Sequence, residues 1–455
     1  DFLLRFGTSG GTRKSLIVGD QGKDRHLTHS ALRAYLDSVP LGSGAIHVPD
    51  CVDPRLAMAY SFEHLREAVD SATNGHPFGE FVRERLGNLE RPAIVGVSIM
   101  GPPQVFFALL VAAIAKELWP DVPVVAGGSH ITILQRDISS DARYGECFDA
   151  FMPHHCERAF ADVCIAAVRR QFSTGMPGVL MPGTDRFVAP TSGSFNYTPH
   201  FDDADLIPFG GKASTVPLQF TRSCPRDCPY CSYRAAEPPM RGDPQHVCDV
   251  DRALDAIKHF YQRGYRTFSF KDSLFLLPAM VALSKGLLAR DLRVKWSATT
   301  FMLPDIASHA DLLCDAGLQT LEFGIESIHP HVQRLIGKSL PATLVQEVAT
   351  ELTDTGIGTV LNLIYGFPTE TYADAERQLD WIRQLEERIG GLLTASHNML
   401  EINRGAPYAA LRGAQVGIKS TGIAPWAFSY AWNAPSWRTS FKPILSRHLA
   451  EELHG

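Results

Sequence analysis

Cys224-Pro225-Arg226-Asp227-Cys228-Pro229-Tyr230-Cys231-Ser232-Tyr233-Arg234 is the stretch on which the reading of this chain turns. Its three cysteines fall at spacings of four and three. The apolar run Val216-Pro217-Leu218-Gln219-Phe220-Thr221 leads into them and reads as a strand, with a helix expected after the loop. Thiolates are soft ligands that suit iron–sulfur clusters and zinc. A cubane cluster ordinarily takes four cysteines, so three with no obvious fourth would leave one iron open for chemistry. A zinc site usually shows two Cys or Cys/His pairs, and no second pair of suitable spacing follows here.

Downstream of the loop, strands and helices alternate. Strands are expected at Arg266–Phe270, Val294–Ala298, Leu318–Ser327, Thr359–Gly366 and Leu392–Ile402. Helices are expected at Asp251–Arg263, Pro278–Arg290, Ile306–Ala316, Pro341–Thr355 and Tyr372–Ile389. With the strand before the cysteines this makes about six βα units, which fits a partial parallel barrel with its site at the carboxyl ends of the strands.

Upstream, Ala93–Ser98 is a continuous apolar run of the kind a strand buried on both faces shows. Strands at Pro123–Gly128 and Phe148–Met152 and helices at Gln104–Leu118 and Cys156–Gln171 follow, which predicts a doubly wound parallel sheet. Such sheets bind ligands at the carboxyl ends of their strands, here Ser98 to Gly101, Gly127 to His130 and Pro153 to Cys156. The pair Gly127-Gly128 also suits a tight βα turn that needs no ligand. Further strands are expected at 15–18 and 45–48, with a helix between them at 28–36. His47 and Cys51 could ligate a metal by type, but a structural role is expected of both. The domain plan is a Rossmann-like domain over 1–175, a linker with a small hairpin (179–188) over 176–213, a barrel over 214–410 and an aromatic-rich segment over 411–455. Trp426, Trp432 and Trp437 in that last segment read either as a lid over the barrel mouth or, preferably, as anchors that pack it down.

The 455 residues carry a net charge of −6 with no long basic run, so no nucleic-acid partner is signalled. No uninterrupted apolar stretch reaches membrane-spanning length, and no signal segment opens the sequence at Asp1, which leaves room for residues upstream. Nine cysteines, six of them scattered, argue for a reducing, cytoplasmic setting rather than a disulfide scaffold.

At Cys224, Cys228 and Cys231 the sequence resembles the radical S-adenosylmethionine (SAM) superfamily, whose hallmark is Cys-x3-Cys-x2-Cys with an aromatic before the last cysteine, here Tyr230. The resemblance implies that the three thiolates hold a [4Fe-4S] cluster and that SAM chelates the open iron. An electron from the cluster then cleaves SAM to methionine and a 5′-deoxyadenosyl radical, which takes hydrogen from an unactivated carbon. Flavodoxin or ferredoxin is the electron donor so implied. By position, Tyr230 would lie near the adenine, and Lys271, Asp272 and Ser273 near the methionine amino group, with Ser297 at the next strand's end. Gly324-Ile325-Glu326-Ser327 resembles the family's fourth-strand element facing SAM, and Ile336-Gly337-Lys338 the element that often follows it. Asn362 with Gly366–Thr371, and Arg404–Tyr408, resemble the fifth- and sixth-strand elements. Tyr365, Glu401 and Arg404 are the substrate-side candidates, since a phenol or carboxylate there could move a proton, although each could equally be a structural hydrogen-bonder.

The N-terminal half resembles the cobalamin-binding subgroup of that superfamily through Val95–Ser98 and Gly127–Thr132, which makes Ser98, Gly127 and Gly128 candidate cobalamin contacts. It departs from the subgroup at His154-His155-Cys156-Glu157 and in lacking an Asn-Pro-Pro element after the opening strand. Two activities on a small, natural-product-like substrate follow. One is cobalamin-dependent C-methylation; the other is a radical dehydration or epimerisation of a polyol or amino sugar beside a vestigial cobalamin domain. A corrinoid- or cluster-binding sensor without turnover is the reading from a different class, and the full set of barrel motifs argues against it.

Overall fold

The structure is a computed structural model, which describes residues 61–173, 175–190, 215–238, 249–412, 416–418 and 426–452. His47, Cys51 and the elements expected before residue 60 lie outside the described residues, as do Cys248 and the part of the expected linker after residue 190. The chain divides into two compact units.

In the first unit, helices α1 (Phe62–Thr73) and α2 (Pro77–Gly87) precede strand β1 (Val95–Ser98) and helix α3 (Val105–Leu118). Then come β2 (Val124–Gly127), α4 (Ser129–Ser139), β3 (Ala150–Met152) and α5 (Glu157–Val168). The three strands are parallel in the order β1-β2-β3. Alternation along the strands splits the core. Val124, Ala126 and Phe151 pack on one face with α1, α3 and α4, while Val125, Ala150 and Met152 pack on the other with α5. Both faces are therefore covered, as the sequence predicts. β1 differs from its expectation: Gly96 and Ser98 are exposed, because β2 is its sole neighbour among the described residues. Leu180 makes antiparallel bridges to Phe151 and Phe187, which adds the 179–188 hairpin to this sheet.

The second unit opens with β4 (Val216–Leu218), the cysteine loop and the short helix α6 (Tyr233–Ala236, whose terminal residues join the first unit). Helix α7 (Val250–Gln262), β5 (Thr267–Phe270), α8 (Leu277–Ala289) and β6 (Lys295–Thr300) follow. Next are α9 (Ala310–Asp315), β7 (Leu318–Glu326), α10 (Pro330–Leu335), α11 (Ala342–Asp354), β8 (Gly358–Tyr365), α12 (Tyr372–Ile389) and β9 (Leu393–Met399). The chain closes with α13 (Pro407–Arg412) and α14 (Arg438–Glu452). All six strands are parallel and in sequential order, β4 to β9. Among the described residues no pairing joins β9 back to β4, so the sheet is an open, partial barrel.

Period-two alternation decides what each face of this sheet carries. Phe268, Trp296, Leu321, Phe323, Leu361 and Leu363 point outward and are fully buried under the helices. The alternate residues Ser269, Ser297, Thr299, Glu322 and Asn362 are half-buried on the inner face. The inner face is thus polar, and a cavity of about 480 Å³ opens along its amino-terminal half, between Thr215, Thr267, Ser269, Ser297 and Gln319. Among the described residues no helix is long and apolar enough to cross a membrane.

Candidate active site

The cysteine loop leaves the carboxyl end of β4, and Asp272, just past the end of β5, shapes its entry. One carboxylate oxygen of Asp272 accepts hydrogen bonds from the amides of Phe220 and Thr221 and from the Thr221 hydroxyl. Its other oxygen is buried with no hydrogen-bond partner, and burial holds the carboxyl above its usual range against those donors. Ser273 donates to the Ser223 carbonyl at 2.7 Å. Ser223 has φ 61°, a left-handed conformation that turns the chain sharply into Cys224. Asp272 and Ser273 therefore act on the loop that bears the thiols.

Cys224 and Cys228 are half-buried and Cys231 is exposed. Burial pushes the Cys224 thiol up, while the Arg226 amide and the Ser273 hydroxyl pull it down. The loop is pinned from within, since the Cys231 amide donates to the Cys228 carbonyl at 3.1 Å and the Tyr233 amide to the Cys231 sulfur at 3.4 Å. Arg226 lies over the Phe301 ring at 4.6 Å and donates to the Gly337 carbonyl at 3.1 Å. Among the described residues no three His, Cys, Asp or Glu side chains are grouped to hold a single metal ion. The donor set, three sulfurs on one loop, suits a cluster whose irons each take one thiolate better than a mononuclear zinc.

Tyr230, between the last two cysteines, reaches the end of β7. Its hydroxyl donates to Glu326 Oε1 at 2.7 Å, and Lys338 Nζ donates to the same oxygen at 2.9 Å. Lys338 also donates to the Gly324 carbonyl at 2.6 Å. The elements Gly324–Ser327 and Ile336–Lys338, separate in the sequence, are thus one assembly. Ser327 stands apart from the inner face: it is fully buried, and its hydroxyl accepts from the His329 amide at 3.2 Å as the chain turns into α10.

Further along the inner face, Asn362 Nδ2 donates to Glu322 Oε1 at 2.6 Å and the Thr299 hydroxyl to Glu322 Oε2 at 3.2 Å. Ser297 donates to Ser269 at 3.3 Å, and both line the cavity with the exposed Lys271. No motif of the sequence singles out Glu322. The signal for it is the alternation of Thr320, Glu322, Gly324 and Glu326 with Leu321, Phe323 and Ile325, which puts Glu322 on the same face as Glu326.

The substrate-side candidates separate. Tyr365 belongs to the outward row of β8; it is fully buried against Phe441, and its hydroxyl meets His397 Nδ1 at 3.0 Å. This corrects the expectation that it faces the reacting centre: two residues after Leu363, it shares that residue's outward face. Glu401 is exposed beyond β9, whereas Arg404, three residues on, is buried. In the first unit Ser98 lies exposed at the strand edge, and Gly128 takes φ 104°, where a Cβ would meet the Ile99 carbonyl oxygen at 2.4 Å. His130 turns inward, its Nε2 3.2 Å from the Trp426 carbonyl, and His155 Nε2 lies 3.0 Å from the Pro238 carbonyl.

Residues 218–382 match the family model of the Radical SAM superfamily. The uncharacterized methyltransferase PH0819 of Pyrococcus horikoshii is 24% identical over 372 residues, covering 76% of this chain and 77% of that protein. Among solved structures, the radical S-adenosylmethionine methyltransferase TsrM of Kitasatospora setae, with tryptophan substrate and a SAM analogue bound, is similar with a TM-score of 0.61. The identity is 15%, over 81% of this chain and 79% of that one. OxsB, a cobalamin-dependent SAM radical enzyme with aqua-cobalamin and SAM bound, is similar with a TM-score of 0.59 at 13% identity, over 80% of this chain and 60% of that one. At these identities the likeness to both structures is one of fold.

Proposed function

Starting from a chain that is an enzyme of the radical SAM superfamily, we propose that it methylates an unactivated carbon of a small substrate, with a [4Fe-4S] cluster, SAM and cobalamin as its cofactors. The observation that carries this reading is the three-cysteine loop tied through Tyr230 to the inner edge of a polar, open barrel, in a chain that also holds a Rossmann-like sheet. Bound together, these groups supply a 5′-deoxyadenosyl radical and a transferable methyl group.

The chain's residues fit each group. Cys224, Cys228 and Cys231 would ligate the cluster, and the protons held on half-buried thiols such as Cys224 would leave as it binds. Asp272 and Ser273 shape that loop, and Tyr230 and Glu326 border the place SAM would take. Ser98, Gly127 and Gly128 would meet the corrinoid, at an edge where a side chain on Gly128 would strike the Ile99 backbone. The hydrophilic inner face, with Lys271, Ser297, Glu322 and Asn362, would orient the substrate by hydrogen bonds. A flavodoxin or ferredoxin would deliver the electron on the side where Cys231 is exposed.

The hydroxyl-rich inner face also favours a second reading, radical dehydration or epimerisation of a polyol or amino sugar without cobalamin. Anaerobically reconstituted protein separates the two. Methylation requires bound corrinoid and a product carrying the deuterated methyl of labelled SAM. Turnover without corrinoid and without label in the product would overturn methylation in favour of the second reading.

A further inference from the structure

We infer that Lys338, Glu326 and Tyr230 form a latch that fixes the cysteine loop against the end of β7, which makes Tyr230 and Lys338 positioning residues for SAM. The inference rests on the cluster-and-SAM reading above and assigns roles that the motifs do not give. Two donors converge on one oxygen, Glu326 Oε1: the Tyr230 hydroxyl at 2.7 Å and Lys338 Nζ at 2.9 Å. The lysine and glutamate side chains are only 5% and 8% exposed. A buried ion pair is a poor way to gain stability alone, because desolvation offsets most of the attraction, whereas losing one partner strands a charge. Its use here is better explained by geometry, since it fixes where a carboxylate sits.

Three further features say that this geometry is imposed. Glu326 adopts φ 64°, a strained region for a residue with a side chain, and such strain gathers at functional sites. The β7–β8 register shifts between Gly324 and Glu326, so the strand irregularity falls at this residue. A Cβ at Gly324 would lie 2.6 Å from Glu326 Oε1 and 3.1 Å from Lys338 Nζ, so a side chain there would displace the paired groups. Glu326 Oε2 makes no hydrogen bond among the described residues, so one oxygen is committed to the loop and the other is available to a ligand donor. Tyr230 is two-ended in the same way. Its ring packs edge-on to Phe367 at 6.1 Å while its hydroxyl engages Glu326, so removing the hydroxyl leaves the ring packing in place.

The test uses anaerobically reconstituted full-length chain, with Tyr230→Phe, Lys338→Met, Lys338→Arg and Gly324→Ala beside the wild type. Iron and sulfide are counted, SAM affinity is measured by equilibrium dialysis, and the reduced cluster is examined by electron paramagnetic resonance with and without SAM. Tyr230→Phe should keep a full cluster yet bind SAM about tenfold more weakly, the loss expected for one hydrogen bond to a charged group. Its SAM-induced spectral change should shrink accordingly. Lys338→Met and Gly324→Ala should reproduce that phenotype, Lys338→Arg should recover part of it, and combining Tyr230→Phe with Lys338→Met should add little, as members of one network behave. Wild-type affinity and an unchanged SAM-bound spectrum in Tyr230→Phe would overturn the latch, whatever Lys338→Met did to folding. A wild type that binds a full cluster but shows no SAM-dependent change would overturn the SAM reading, and the latch with it.

Discussion

A carboxyl group sealed from water keeps its proton to unusually high pH even where backbone amides pull the other way, and Glu370 is such a group. One oxygen accepts from the amides of Gly366 and Phe367, while the other is buried with no hydrogen-bond partner. Burial pushes its pKa up to about 7, against the pull of those amides. A carboxyl raised in the folded state contributes stability that is present below its unfolded pKa and lost as pH climbs through the folded one. For Glu370 that window runs from about 4.5 to about 7. Glu370→Gln keeps the acceptor and has no charge to bury. It should be more stable than the wild type at pH 8, by something on the order of 1–3 kcal/mol, and nearly equal to it at pH 5. Urea unfolding at the two pH values checks this; an equal difference at both would show that the carboxyl does not titrate in that window. At this scale the sequence is legible for donor type and poor for direction. The three cysteines share one loop and Tyr230 meets Glu326 at the end of β7, whereas Asp272 turns to the backbone of Phe220 and Thr221. Tyr365 has an equally plausible type but an outward strand position, and that parity, unlike the residue type, decides which groups face the inner cavity.

Elements were easier to read than side chains. The strands β5 to β9 could be placed because each alternates apolar and polar residues or forms an apolar run bounded by glycine or proline. Of the helices between them, α7, α11 and α12 are amphipathic over more than three turns. α12 also carries its own start signal: the Thr371 hydroxyl accepts from the Asp374 amide and the Asp374 carboxylate from the Thr371 amide. Thr371→Ala should cost about 1 kcal/mol, the usual value of such a cap, and lower the thermal midpoint without altering cluster content. No change in midpoint would mean that the packing of α12 alone fixes that terminus. Phe323→Ala should cost more, about 3–5 kcal/mol, because the ring is fully buried under the helices on the outer face of β7. Denaturant unfolding reads that loss, and a cost under 1 kcal/mol would contradict the assigned outward face. α4 and α10 went unread for a physical reason. α10 spans under two turns, and α4 opens on Gly128-Ser129 as a turn would.

At the scale of the whole molecule, long-range placement is what a sequence hides. Trp426 is some 270 residues downstream of the first unit's core, yet it is fully buried there, 5.4 Å from the Tyr144 ring and 6.5 Å from Phe151. Trp437 instead joins the second unit, edge-on to Phe441 at 5.6 Å and donating to the Glu370 carbonyl at 3.1 Å. Both act as packing anchors, the bland reading of these tryptophans. Trp426→Ala should therefore destabilise the first unit by about 3–5 kcal/mol, seen as early loss of amide protection in β1 to β3. Unchanged protection there would contradict it.

The two-unit plan, the open parallel barrel and the thiol loop at its carboxyl edge converge on one chemical claim, that three thiolates hold a cluster that cleaves SAM. Anaerobic reconstitution followed by reduction with dithionite and assay of 5′-deoxyadenosine tests it most directly, with the wild type beside Cys228→Ala. The wild type should show a cluster absorption band and SAM-dependent 5′-deoxyadenosine, and the variant should lose both. Formation of 5′-deoxyadenosine at the wild-type rate by Cys228→Ala would contradict it.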